Sequence, residues 1–215
     1  FAGRLFEFPP GWNGAEPLSW LVLRDLVQID DESDERSSWS RAERVNLQAH
    51  NDAVAQRTED LVASIGMEGT SAAESLVRAA QWHDVGKADR RFQQLLGRRD
   101  TDTELFAKGG VRTIRSIRRA WADAGLPPGW RHELASAAAY WQATDDDGTD
   151  SETRDLITRL IGTSHGRGRP LFDHDPETAG PEYTEALEEL LGEGEWESLI
   201  ARTDRQWGPW GTAYL

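Results

Sequence analysis

The stretch QWHDVGKADRRFQQLL, residues 81–96, places a histidine and an aspartate side by side and follows them closely with a glycine. It continues the run SAAESLVRAAQWHD, in which Ser71, with a glutamate three residues later, is typical of a capping box at a helix start. Gly86 is then expected to end this helix in a left-handed conformation. Neighbouring residues on a helix point about 100° apart, so His83 and Asp84 can converge only where the backbone bends. The pattern predicts a functional pair at a helix end.

Most of the remaining chain has the apolar spacing and boundary residues of helices, with no repeat and no alternating strand pattern of any length. The other predicted helical segments are 41–65, 88–96, 111–125, 131–143, 152–166, 181–192 and 195–208. We therefore predict an all-α helical bundle with its site in the core. Residues 1–38 are predicted to be an N-terminal connector or extension after a preceding domain, in which LSWLVLRDLVQI forms a short helix or a strand. Residues 39–215 form the predicted helical domain.

Composition excludes several classes of protein. The 215 residues include no cysteine, which excludes a disulfide framework and a thiolate site. No apolar run approaches the roughly 20 residues of a membrane span, and we expect a cytoplasmic protein with no membrane partner. The net charge is −14, yet residues 87–119 carry ten basic and four acidic side chains. Such local asymmetry is the footprint of a nucleic-acid partner or, equally, an ordinary solvated helix face.

The histidines form the second pattern. Four of them fall in four different predicted helices, whereas His174 lies in FDHDPE and receives no role. Imidazole and carboxylate are ligands that divalent metals accept, and facing helices of a bundle can deliver them to one centre. Asp84 is the anionic candidate, and a carboxylate can bridge two ions that together stabilise phosphoryl displacement. Lys87 is predicted to emerge where a phosphate would lie. The four candidate imidazoles belong to His50, His83, His132 and His165.

Three strings in this order, HDVGKADRRFQ, WRHELAS and SHGRGRPLF, resemble the HD nuclease domain of the CRISPR type I interference nuclease–helicase. Upstream, NLQAHNDAV is similar to the family's lone-histidine helix, and downstream WGPWGTAYL is similar to its Y-G-x-x-x-L-A-Y-L stretch. The likeness covers about residues 41–215. The histidine–aspartate pair alone is weak evidence for this family, because it occurs in many phosphohydrolases. The combined strings are considerably more specific.

The resemblance implies a helical HD fold and hydrolysis of single-stranded DNA in CRISPR interference. A helicase domain, in the same or a partner chain, would feed the strand, and a CRISPR RNA-guided surveillance complex is an implied partner. It implies one or two divalent ions, with Mn, Fe, Ni, Co and Mg as candidates. His50, His83 and Asp84 match the ligands of the first ion, and Asp84, His132 and His165 those of the second. Asp84 and Lys87 are the implied catalytic residues, with Lys87 near the scissile phosphate.

Two departures from the family pattern stand out. Ser164 occupies the place of the first histidine of the family's H-H-G string, and a hydroxyl is a poorer ligand. The family's last aspartate, on a helix after A-Y-L, lies beyond Leu215, and the chain lacks an initiator methionine. We therefore expect a fragment of a longer protein.

Further residues are assigned from their positions near these strings. Arg112, Arg115 and Arg118 share one helical face and could follow a DNA backbone, or serve solubility alone. Arg167 and Arg169 could contact phosphate or cap the preceding helix. Glu133 could orient an imidazole or, equally, be an exposed carboxylate at a helix start. The alternative functions are an HD phosphohydrolase of small nucleotides and a catalytically degraded binding module.

Overall fold

The computed structural model describes residues 2–7, 19–24, 44–109, 114–126, 130–144, 148–165, 184–191, 194–208 and 211, with the backbone alone for 2–7, 19–24, 114–118 and 184. The chain divides into two compact units, Phe1–Glu32 and Ser33–Leu215. In the first unit, strands β1 (Ala2–Glu7) and β2 (Ser19–Arg24) pair antiparallel, with Ala2 opposite Arg24. The segment SWLVLR, for which helix and strand were both open, is therefore a strand.

The second unit is helical in most of its described residues, which confirms the predicted fold class. In chain order its elements are β3 (Val45–Asn46), α1 (Leu47–Ser64), α2 (Ser71–Trp82), a 3₁₀ turn (Val85–Ala88), α3 (Arg90–Leu95), β4 (Phe106–Lys108), α4 (Ile114–Asp123), α5 (His132–Ala143), α6 (Ser151–Gly162), α7 (Thr184–Leu191) and α8 (Glu195–Trp207). Strands β3 and β4 pair antiparallel, with Val45 opposite Lys108. Two and three residues are too few to show an alternating pattern, so the sequence did not reveal this pair. No described helix is long and apolar enough to cross a membrane.

The starts of α1 and α2 follow from their capping residues. Asn46 accepts a hydrogen bond from the Ala49 amide at 3.0 Å, and Thr70 accepts one from the Ala73 amide at 3.2 Å. Such caps satisfy amides that lack a partner within the helix. The predicted capping box at Ser71 is wrong, because the threonine one residue earlier provides the cap and becomes the boundary.

Helix α5 is the centre of the helical unit, and every residue from His132 to Trp141 is buried. A helix buried on all sides needs small residues where neighbours approach closely, and the run Ala137–Ala139 supplies them. One face of the bundle packs Tyr140 against Trp196 and the apolar residues of α6 and α8. On the other side, Phe92 stacks on Trp130, with ring centroids 5.1 Å apart, just before α5 begins. The start of α5 is thereby packed through Trp130 and its later turns through Tyr140.

Gly86 lies against this first turn, and its role differs from the predicted one. Its φ angle is outside the left-handed region, so it does not end α2 in the expected way. A Cβ atom there would lie 2.1 Å from the carbonyl oxygen of His132 and 2.6 Å from the amide nitrogen of Ser136. Glycine is required because the backbone of the 3₁₀ turn directly contacts the backbone of α5.

Candidate metal centre

The histidine–aspartate pair lies where α2 ends, as predicted. His83 is the C-cap residue and keeps helical angles, whereas Asp84 leaves the helix with φ −108° and ψ 3°. The Nδ1 atom of His83 lies 2.7 Å from the carbonyl oxygen of Ala80. Since a carbonyl can only accept, Nδ1 carries the proton and the neutral ring presents a lone pair at Nε2. That Nε2 atom is 3.5 Å from Oδ2 of Asp84.

Asp84 is the common centre of the predicted residues and is only 1% exposed. Its Oδ2 atom lies 3.3 Å from Nε2 of His50, which α1 supplies, and 2.7 Å from Nζ of Lys87. Its Oδ1 atom lies 3.2 Å from Nε2 of His132, the first residue of α5. The two carboxylate oxygens therefore face different histidines.

The fourth histidine comes from the turn after α6. Nε2 of His165 lies 3.0 Å from Nε2 of His132, and the two rings meet edge to face. The structure thus brings together two groups whose ligand atoms lie within 4.8 Å of one another: His50, His83 and Asp84, and Asp84, His132 and His165. These are the two sets that the sequence resemblance implied.

The donor set fits a divalent ion. Oδ1 of Asp84 is buried without a hydrogen bond of acceptable geometry, although His132 is near. The lone pair of His83 faces the other carboxylate oxygen, and two acceptors in this arrangement repel unless a cation lies between them. Ligand atoms at right angles around an ion, with bonds of about 2.1 Å, are about 3.0 Å apart, close to the separations seen here.

The protonation states favour the same chemistry. Burial raises the pKa of Asp84, but the His132 and His50 imidazoles and the Lys87 ammonium outweigh it and hold the pKa well below its usual value. Burial lowers the pKa of His83 despite the nearby Asp84 carboxylate, which favours the neutral ring. An ionised carboxylate and neutral imidazoles are the forms that bind metals.

Glu133 stands behind the second group. It is buried, and its Oε1 accepts a hydrogen bond from Nη1 of Arg131 at 2.8 Å, while Oε2 lies 3.7 Å from Nδ1 of His132. Burial raises the pKa of Glu133, but the charges of His132 and Arg131 bring it below its usual value. An anionic carboxylate on the far side of an imidazole favours the ring form with its lone pair towards the ion.

A protein-family comparison extends this picture. The family model described as "Cas3, HD domain" matches residues 33–208. The chain belongs to the Cas3 HD domain family. This family comprises CRISPR-associated, metal-dependent HD nuclease domains, which confirms the resemblance carried by the three sequence strings. No curated protein and no solved structure matched the chain.

In this Cas3 HD domain, Lys87 lies inside the site instead of at its rim. Its side chain is 4% exposed, and its ammonium donates a hydrogen bond to Oδ2 of Asp84. The 3₁₀ turn directs the side chain back towards Asp84, three residues earlier. Its predicted contact with a scissile phosphate remains a prediction.

The other predicted residues lie around this centre or outside the described residues. Ser164 is exposed in the turn just before His165. Arg115 and Arg118 are in the first half of α4, residues 114–118, where only the backbone is described. The predicted roles of Arg112, Arg167 and Arg169 concern positions outside the described residues, as does His174, to which no role was assigned.

Gln93 and Ser136 are buried polar residues next to the 3₁₀ turn of this Cas3 HD domain, and the sequence did not indicate a role for either. Gln93, 2% exposed, donates from Nε2 to the carbonyl oxygens of Lys87 and Phe106 and accepts from the Phe106 amide through Oε1. It joins the 3₁₀ turn to β4. Ser136 connects the same turn to α5. Gln93 is the last residue of the string HDVGKADRRFQ, and Ser136 is the last residue of WRHELAS. Their presence in these family strings is the sequence feature that could have pointed to a role.

Proposed function

We propose that this protein is a metal-dependent nuclease that hydrolyses phosphodiester bonds of single-stranded DNA in CRISPR type I interference. The observation that carries the proposal is the Asp84 carboxylate, whose two oxygens face two separate histidine groups. Membership of the Cas3 HD domain family supports the reaction class. The ligands we assign are His50, His83, Asp84, His132 and His165, for one or two divalent ions.

Each residue has a defined task in this proposal. A divalent ion held by these residues would acidify a water molecule and offset negative charge on phosphodiester oxygens. Asp84 supplies the anionic charge that the imidazoles lack. The carbonyl of Ala80 holds His83 in the ligating tautomer, and the Arg131–Glu133 ion pair supports His132. Because four imidazoles surround one carboxylate, the set favours a transition metal such as Mn, Fe, Co or Ni over Mg.

Lys87 provides positive charge beside the reacting group. Its ammonium lies 2.7 Å from Asp84, in the same pocket as the ligand atoms of the first group. A phosphate that enters this pocket gains the same charge-assisted contact that Asp84 has in the metal-free chain. We assign Lys87 to the scissile phosphate on this ground.

The basic segment 87–119 is the proposed approach for DNA. A single strand is bound through phosphate contacts along a track, whereas a small nucleotide needs no extended surface. The track residues we assign are Arg112, Arg115, Arg118, Arg167 and Arg169. A helicase domain, in the same or a partner chain, would deliver the strand after an RNA-guided surveillance complex opens the duplex. We expect this reaction to take place in the cytoplasm. We assign residues 1–38 as the connection to a neighbouring domain.

The test is nicking of circular single-stranded DNA by the purified protein with Mn²⁺. We expect Asp84→Ala to abolish nicking and Asp52→Ala to retain it, because Asp52 is exposed on α1, two residues from His50, and bonds only Gln48 among the described contacts. Hydrolysis of nucleotides without cleavage of DNA would instead indicate a small-nucleotide phosphohydrolase. A protein that binds no metal and shows neither reaction would be a non-catalytic binding module.

A further inference from the structure

A buried hydroxyl joins the two elements that carry Asp84 and His132. Ser136 on α5 is 0% exposed, and its Oγ donates a hydrogen bond to the carbonyl oxygen of His132 at 2.8 Å. The Oγ atom of Ser136 also accepts a hydrogen bond, from the backbone amide of Gly86, at 2.8 Å. The first bond lies within one helical turn, whereas the second crosses from α5 to the 3₁₀ turn.

The 3₁₀ turn and α5 are in close backbone contact around this hydroxyl. A side chain on Gly86 would overlap the carbonyl oxygen of His132 and the amide nitrogen of Ser136. The 3₁₀ turn therefore lies closer to α5 than a residue with a Cβ atom would allow. The serine hydroxyl provides the hydrogen bond for an amide that water does not reach, because both residues are buried.

Both ends of this connection are close in sequence to proposed ligands. Gly86 follows Asp84 by two residues, and Ser136 follows His132 by one helical turn. Between these ligands, Oδ1 of Asp84 and Nε2 of His132 are 3.2 Å apart. A change in the distance between the turn and the helix must change this separation, whereas Asp84 and His83 belong to one continuous segment and move together.

We propose that Ser136 is a positioning residue that sets the separation of Asp84 and His132, and thereby the affinity of the Asp84–His132–His165 group for its ion. This inference rests on the proposed function. Without the hydroxyl, the Gly86 amide is buried without an acceptor, and the turn must shift to find one. Removing support behind a metal ligand typically weakens metal binding about 10–100-fold.

Isothermal titration calorimetry of the full chain with Mn²⁺ measures the metal affinity. The binding step that is lost in His165→Ala belongs to the Asp84–His132–His165 group. We expect Ser136→Ala to weaken that step about 10–100-fold. The matched control is Ser75→Ala: Ser75 is 3% exposed and donates to the carbonyl oxygen of Ser71 at 2.8 Å, the same i−4 bond, within α2. Ser75→Ala should leave the step unchanged.

A measurement on the wild-type protein covers the case in which Ser136→Ala does not fold. Amide hydrogen exchange at Gly86 in the metal-free protein should be as slow as in the buried part of α5, and exchange at the rate of an unfolded chain would overturn the proposal. Equal affinities in Ser136→Ala and Ser75→Ala would also overturn it, with the proposed function intact. A wild-type chain without the His165-dependent step would instead contradict the proposed site.

Discussion

Replacing Lys87 with methionine tests whether Asp84 binds a metal ion as well as the ammonium of Lys87. Methionine keeps the length of the side chain and removes its charge. In the metal-free protein, the Asp84 carboxylate would then be buried without the ammonium that lies 2.7 Å from it in the wild type. Breaking a buried ion pair by removing one partner costs about 3–5 kcal/mol. For a chain of this size, each kcal/mol lowers the melting temperature by about 2–4 °C, so the expected decrease is about 6–20 °C.

The assay is thermal unfolding followed by circular dichroism, in chelator and in saturating Mn²⁺. An ion bound to Asp84 compensates the same carboxylate charge, so the deficit of Lys87→Met should shrink when Mn²⁺ is present. Arg90→Met is the control, because Arg90 is exposed and surface substitutions usually change stability by less than about 0.5 kcal/mol. A deficit of equal size with and without Mn²⁺ would refute the placement of the ion on Asp84. A negligible deficit in chelator would refute the pairing itself.

Three other predictions test neighbouring parts of the account. In Gly86→Ala the new methyl would lie 2.1 Å from the His132 carbonyl oxygen. Urea unfolding should therefore show a loss of about 1–3 kcal/mol in the free energy of unfolding, and calorimetry should show a weaker affinity for Mn²⁺. The control is Gly66→Ala, at a residue with φ 75° and open space around it, which should lose stability but keep the normal metal affinity. Burial lowers the pKa of His83, so below about pH 6.5 the unfolded chain binds a proton that the folded chain does not. The free energy of unfolding of the chelated protein should therefore fall as the pH decreases through that value, and less so in His83→Gln. A third set of substitutions replaces Arg112, Arg115 and Arg118 with glutamine. Single-strand binding should weaken, and its salt dependence should flatten by about one unit of slope per lost phosphate contact; an unchanged slope would assign these residues to a solvated surface.

The sequence predicted the helical architecture because its signals are local. Helix α1 ends before Gly66, which has a positive φ, and α2 stops at the histidine–aspartate pair. Cap choice was less certain, since Thr70 and Ser71 offer the same chemistry one residue apart. The strand pair β3–β4 was not predicted, because its partners are about 60 residues apart and its strands have two and three residues.

The candidate site was predicted in its residues but not in its contacts. Spacing indicated that separate helices could deliver the imidazoles, and the family strings assigned them to two groups. The 3.0 Å approach of His165 to His132 depends on how α5 and α6 pack, which no local pattern records. The inward direction of Lys87 and the contact of Gly86 with α5 also depend on tertiary packing.

Anomalous diffraction from crystals grown with Mn²⁺ would locate the ion relative to Asp84. We expect anomalous density at the Asp84 carboxylate, within bonding distance of His50 and His83 on one side or His132 and His165 on the other, and no such density in Asp84→Ala crystals. Manganese bound only at other carboxylates, with the wild-type Asp84 still paired to Lys87 alone, would contradict it.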